Sequence, residues 1–182
     1  METVEIPFKP FEKIARLSRE CVITEKIDGT NGVICITADG RFLVGSRTRW
    51  ITPESDNFGF AKWAYANKDE LMGLGEGTHY GEWWGSGIQR GYGLTEKRFS
   101  LFNTSRWSDD AIRPKCCSVV PVLKIGEFTS TIVDEALSKL RVAGSAAAPG
   151  FLKPEGVIVY QIAGRIYFKK TIEKDAEWKG KP

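Results

Sequence analysis

Short runs of alternating apolar and polar side chains, separated by Gly, Asn and Asp, dominate this chain. Cys21 to Lys26 and Gly32 to Thr37 predict two strands joined as a hairpin through a tight polar turn. Ala38-Asp39-Gly40-Arg41 predicts a second turn, because Asp-Gly tolerates the positive φ such turns need. Arg41 to Ser46 then reads as a third strand, so the chain opens as an antiparallel meander with Lys26 at one corner. Phe8 to Leu17, ahead of it, is short and mixed and reads as a surface helix or turn.

The period lengthens over Asp56 to Met72, where Phe60, Trp63, Ala64 and Leu71 fall roughly on one helical face behind Asp56 as a cap. Strands return at Thr78 to Trp84, Phe99 to Asn103 and Val119 to Lys124. Thr131 to Val142 predicts a second helix, capped by Thr131, with Leu137 and Leu140 inward. Gly144 to Gly150 is a small-residue loop expected to be flexible. Val157 to Gln161 and Arg165 to Lys170 predict a terminal hairpin around Ala163-Gly164. Strands outnumber helices and are mostly adjacent, so the expected fold is α+β, with antiparallel sheet and flanking helices.

A chain of 182 residues with 42% apolar content suits one domain with a true core, and 1–182 is read as a single domain. The net charge of +3 permits a nucleic-acid partner without arguing for one. Basic residues do cluster locally, at Arg41, Arg47 and Arg49 and again at Arg165, Lys169 and Lys170. No apolar run is long enough to span a bilayer, and the first residues lack a signal pattern. Four cysteines without Cys-x-x-Cys spacing, and a single His, argue against zinc. They are read as reduced, and the protein as cytoplasmic.

The most informative stretch is Glu25-Lys26-Ile27-Asp28-Gly29-Thr30-Asn31-Gly32. A lysine amine is a nucleophile only when neutral, and its reference pKa keeps it charged at pH 7. Burial or a neighbouring cation activates it. Lys26, behind Val22 and Ile23, beside Ile27 and before a glycine turn, is placed for that treatment. Further segments follow in order: Ser46-Arg47-Thr48, Tyr80-Gly81-Glu82-Trp83-Trp84-Gly85, Arg98-Phe99-Ser100-Leu101-Phe102-Asn103, Pro154-Glu155-Gly156-Val157-Ile158-Val159 and Tyr167-Phe168-Lys169-Lys170.

Taken in sequence, these six segments resemble the motifs of the covalent nucleotidyltransferases, from Lys26 to Lys170. The Thr30-Asn31 pair is similar to the ATP-dependent RNA ligases, in particular the nick-sealing phage RNA ligase 2 type. The resemblance implies an adenylyltransferase domain of ATP-grasp-like type, using ATP and Mg2+ or Mn2+. It implies that Lys26 captures AMP from ATP as a lysyl-AMP, which passes to an RNA 5′-phosphate. A 3′-hydroxyl then seals the backbone. Lys169, with Lys170 behind it, would be catalytic cations at the α-phosphate. Glu155 would hold the metal through water, and the metal would offset phosphate charge and help keep Lys26 neutral. Glu25, Ile27, Asn31, Arg47, Glu82, Phe102 and Val157 would surround the nucleotide. In that reading Glu25 lies near the adenine amine, Glu82 binds ribose hydroxyls, and Arg47 meets ribose or the RNA end. Phe102 stacks on the base, and Val157 or Val159 closes its far side. Asn31 places the metal water or the leaving pyrophosphate.

Gly85 to Gly93 lacks the ending of a phosphate loop and is expected to be mobile, with Arg90 near RNA. Trp50, Trp83 and Trp84 either stack on unpaired bases or pack in the core. Relatives often carry Lys-x-Lys in the last motif. Here the lysines are adjacent, so alternation sends them to opposite faces, and Lys169, sharing a face with Thr171, takes the phosphate side. The tail Thr171 to Pro182 is too short for the C-terminal domain many relatives carry, so the chain is expected to be either a minimal ligase or one whose missing contacts a partner protein supplies. Two other readings stay open: a degenerate nucleic-acid-binding relative without sealing activity, and a DNA ligase or capping-type transferase.

Overall fold

A computed structural model describes residues 7–173. The strands are β1 (Glu20–Lys26), β2 (Thr30–Ile36), β3 (Phe42–Gly45), β4 (Trp50–Ile51), β5 (Gly77–Gly85), β6 (Lys97–Leu101), β7 (Cys117–Val119), β8 (Val122–Glu127), β9 (Gly156–Gln161) and β10 (Ile166–Thr171). The helices are α1 (Phe60–Ala66), α2 (Lys68–Leu71), α3 (Thr104–Trp107) and α4 (Ser130–Ala143). The strands form two sheets, ordered β10-β9-β1-β8 and β4-β3-β2-β5-β6-β7. All pairings are antiparallel except β6 with β7. The expected α+β class with antiparallel sheet and flanking helices is the observed one.

The expected hairpin of the first two strands does not form. β1 pairs with β8 and β9, while β2 pairs with β3 and β5 in the other sheet. The turn after Lys26 is therefore a crossing between sheets. Gly29 makes the crossing possible, because a Cβ there would lie 2.5 Å from the Trp83 carbonyl oxygen and 2.7 Å from the Trp84 Cβ. The second turn is as expected, with Gly40 at φ 79 and the Thr37 N–H donating to the Arg41 carbonyl at 3.0 Å.

The expected strand Val119 to Lys124 is also divided between the sheets, as β7 and β8, around Val120-Pro121. Pro121 has no N–H to give a ladder, and its carbonyl accepts from the Glu25 N–H at 3.0 Å. The expected long helix is two short ones with a 3-10 turn, Met72–Leu74, behind them. Gly59, at φ 81, delays the start to Phe60. Asp56 still serves the first turn, accepting from Ala61 N–H at 2.7 Å and Lys62 N–H at 3.0 Å. Thr129, rather than Thr131, caps α4, accepting from the Ile132 N–H at 3.2 Å. Phe8 to Leu17 forms no regular element.

Each sheet buries one face under helices. Ile34, Trp83, Phe99 and Leu101 pack against Phe60, Ala61 and Ala64 of α1. Cys21, Ile23, Val157 and Val159 pack against Val133, Ala136, Leu137 and Leu140 of α4. A third, smaller cluster of Ile27, Trp84, Tyr92, Val120 and Ala148 sits where the chain crosses between sheets. It collects both crossings, Ile27 between β1 and β2 and Val120 between β7 and β8. Lys26 enters the structure beside this joint.

Candidate active site

Alternation along β1 turns Cys21, Ile23 and Glu25 toward α4 and Val22, Thr24 and Lys26 to the opposite face. Lys26 stands opposite Gly156 of β9, so Glu155 comes immediately before the facing position. The two side chains form an ion pair, 23% and 17% exposed. The register extends this face to β10: Lys169 is opposite Ile158, and Ile158 opposite Thr24. Lys169 thus lies on the Lys26 face, one row away, roughly 12 Å between Cα positions from strand spacing and rise. It is exposed and has no polar partner among the described residues.

Lys170 faces the other way. It lies opposite Val157 and donates to Asp134 of α4 at 2.7 Å. Of the two lysines expected at the phosphate, the fold puts Lys169 alone on the Lys26 face. Adjacent positions on a strand cannot share a face.

The second sheet supplies the opposing wall. Asn31 of β2 is opposite Glu82 of β5, which is opposite Ser100 of β6, so these three share a face. Glu82 accepts from the Gly29 N–H at 3.0 Å and from Asn31 Nδ2 at 3.3 Å. Burial pushes its carboxyl up to about 7; Lys26 and the Gly29 N–H oppose this, while Glu155 and Asp28 add to it. Lys26, Glu155 and Asp28 thus all lie within electrostatic reach of Glu82. Among the described residues no group of three or more His, Cys, Asp or Glu converges as a metal cage. A single partly exposed carboxylate suits a hard divalent ion that keeps most of its water. Glu155 fits that role.

Phe102 lies just past β6 and is 37% exposed, with its N–H donating to the Tyr80 carbonyl at 2.9 Å. Tyr80 is exposed on β5 two residues before Glu82, so an aromatic wall borders the carboxylate. Arg47 sits in the exposed β3–β4 turn without a polar partner among the described residues.

Four expected contacts fall elsewhere. Val157 and Val159 are buried against α4, and Ile27 is buried among Trp84, Tyr92 and Val120. Half-buried Ile158 is the aliphatic residue of β9 on the Lys26 face instead. The strand register carries this signal, and motif matching alone did not expose it. Glu25 is 1% exposed and points away from Lys26. One carboxylate oxygen accepts from the Ala146 and Ala147 N–H groups at 2.7 and 2.9 Å. The other is buried without a hydrogen bond among the described residues. Burial raises the Glu25 carboxyl, against the Ser145 hydroxyl and the two amides. The small-residue loop expected to be flexible is thus tied down, with Ser145 N–H donating to the Phe151 carbonyl at 2.8 Å and Ala148 N–H to Ser145 Oγ at 3.0 Å.

The glycine-rich stretch is likewise packed rather than mobile. Ile88 and Tyr92 are buried, and Arg90 turns inward to Asp28 at 2.9 Å rather than outward. Trp83 and Trp84 are core residues, while Trp50 is exposed on β4. All four cysteines are free, and no described helix is long and apolar enough to cross a membrane.

Comparisons with known proteins agree with this geometry. Among solved structures, a variant of Naegleria gruberi RNA ligase bound to AMP and manganese matches with a TM-score of 0.64 at 20% identity, over 85% of this chain and 50% of that one. A second variant, with ATP and manganese, gives 0.64 at 19% identity over 86% and 51%. A third, without ligand, gives 0.62 at 22% identity over 85% and 50%. At this identity the likeness establishes a shared fold, and the chain spans about half the length of these relatives. No curated protein matches. The family model for RNA ligase matches residues 19–174, nearly the whole chain, and the protein belongs to the RNA ligase family.

Proposed function

We propose that this chain is an ATP-dependent RNA ligase whose first step is adenylylation of Lys26. The observation that supports the reading is the ion pair of Lys26 with Glu155, with Glu82 in electrostatic reach of both and Lys169 on the same sheet face as Lys26. Solved members of the same fold carry ATP or AMP with manganese.

Lys26 supplies the nucleophile. Its nitrogen bonds to the α-phosphorus of ATP, the bond to pyrophosphate breaks, and the amine proton leaves. Lys169 supplies positive charge to phosphate oxygens from the same sheet face. Glu82, held by Gly29 and Asn31, offers a carboxylate oxygen to ribose hydroxyls. Phe102 and Ile158 bracket the base, and Arg47 lies free to meet ribose or an RNA end. A divalent cation, Mg2+ or Mn2+, held at Glu155 would supply charge neutralisation on the triphosphate. The adenylate then passes to an RNA 5′-phosphate, and a 3′-hydroxyl displaces AMP.

Intact mass after incubation with ATP and manganese tests the first step. Wild type gains one adenylate and Lys26→Ala gains none; label on the variant would sink the assignment. Sealing of a nicked RNA duplex tests the rest. Adenylate capture without sealing would favour a chain that depends on a partner protein for its RNA contacts.

A further inference from the structure

We propose that Arg90 and Tyr92 are positioning residues that clamp the turn after Lys26 to the segment leading into Glu155. The catalytic consequence rests on the functional reading above; the clamp itself does not.

One guanidinium reaches both sides of the site. Arg90 Nε donates to Asp28 Oδ2 at 2.9 Å, and Nη1 donates to the Lys153 carbonyl at 2.9 Å. Asp28 is two residues after Lys26, and Lys153 two residues before Glu155. The planar fork of arginine suits two fixed acceptors at once, which a lysine ammonium does not reproduce. Tyr92 adds a second hold, its hydroxyl accepting from the Asp28 N–H at 2.8 Å. The Tyr92 ring is itself fixed, 5.0 Å from Trp84 edge-on and 4.6 Å from Phe151 between centroids.

The loop that carries both residues is held in place against its backbone preference. Gln89 and Tyr92 adopt φ 44 and φ 53, a left-handed region that disfavours non-glycine residues and persists only when surroundings impose it. Burial of Ile88 and Tyr92 imposes it. A loop packed this tightly has little freedom to follow a polynucleotide. Its charged end is spent on the Asp28 carboxylate and the Lys153 carbonyl, with the exposed Glu173 carboxylate 3.8 Å from Nη2. Without it, the strand pairing of Lys26 with Gly156 and the ion pair itself are what hold the two segments in register.

Hydrogen exchange read by mass spectrometry tests the clamp without any reaction. Arg90→Ala is expected to speed exchange in 27–30 and 153–156 together by about tenfold or more, the worth of a charged hydrogen bond. Tyr92→Phe is expected to loosen 27–30 alone, and carries the test if Arg90→Ala does not fold. Wild-type rates in both segments, or loosening confined to 86–93, would overturn the clamp.

Single-turnover adenylylation tests the positioning role. Arg90→Ala should lower the rate constant at saturating ATP about tenfold, with little change in ATP affinity, and guanidinium ion should restore part of it. Arg90→Lys should not restore the rate. An unchanged rate constant with less labelled protein would mark Arg90 as merely structural. If wild type captures no adenylate, the functional reading fails, while exchange in the two segments still decides the clamp.

Discussion

Lys26 and Glu155 meet across the ends of paired strands: Lys26 closes β1 opposite Gly156, and Glu155 is the residue just before β9 begins. The side chains form an ion pair that solvent reaches only in part. A carboxylate placed by strand register beside the nucleophile is fixed before any nucleotide arrives, where it can hold the cation that offsets phosphate charge. Glu155→Gln keeps the shape and removes the charge. Label uptake from α-labelled ATP is expected to fall by about 10²-fold or more, with the unfolding midpoint little changed, since a partly exposed pair adds little stability.

The two adjacent lysines are predicted to part company. Lys169→Ala removes the cation on the Lys26 face and is expected to slow adenylylation by about 10²-fold. Lys170→Ala removes only an exposed pair with Asp134, and its rate should match wild type. Single-turnover kinetics on both variants decides this. Equal losses would mean that the β10 register is wrong.

Glu82 should leave a mark on stability against pH. Its folded carboxyl is pushed up to about 7, from an ordinary 4.5, by burial. The folded state therefore holds a proton there that the unfolded chain releases first. That contribution is full below about pH 4.5 and is lost as pH rises through about 7. Glu82→Gln keeps an acceptor for the Gly29 N–H and never ionises. Relative to wild type it should gain stability across that window, and remain more stable above it. Thermal unfolding of the nucleotide-free proteins from pH 4 to 8 (roughly the window set by the linkage) measures the difference.

Val157 and its neighbour Ile158 separate packing from binding. Val157 is fully buried against α4, so Val157→Ala is expected to cost about 2 kcal/mol in urea unfolding with ATP affinity unchanged. Ile158 is half-buried on the Lys26 face, so Ile158→Ala should weaken ATP binding more than it weakens the fold. A nucleotide titration alongside the unfolding curve settles which valine or isoleucine borders the base.

Local pattern and motif order determined much of this protein. The α+β class, most strand spans, the Asp39-Gly40 turn and the ordered motif residues are properties of neighbouring positions, and neighbours are what a sequence displays. Alternation also separated Lys169 from Lys170. The tertiary structure alone decided which strands pair. Lys26 and Thr30 are four residues apart, yet Gly29 carries the chain from one sheet into the other, because it fits against Trp83 where a side chain would collide. That crossing set the roles of its neighbours. Val157 is drawn into the α4 core, Glu25 is turned to hold the 145–148 loop, and Arg90 is bent inward to Asp28. Each outcome depends on a partner outside the local pattern, more than fifty residues away for Glu25 and Arg90, and a pairing at that range leaves no local trace.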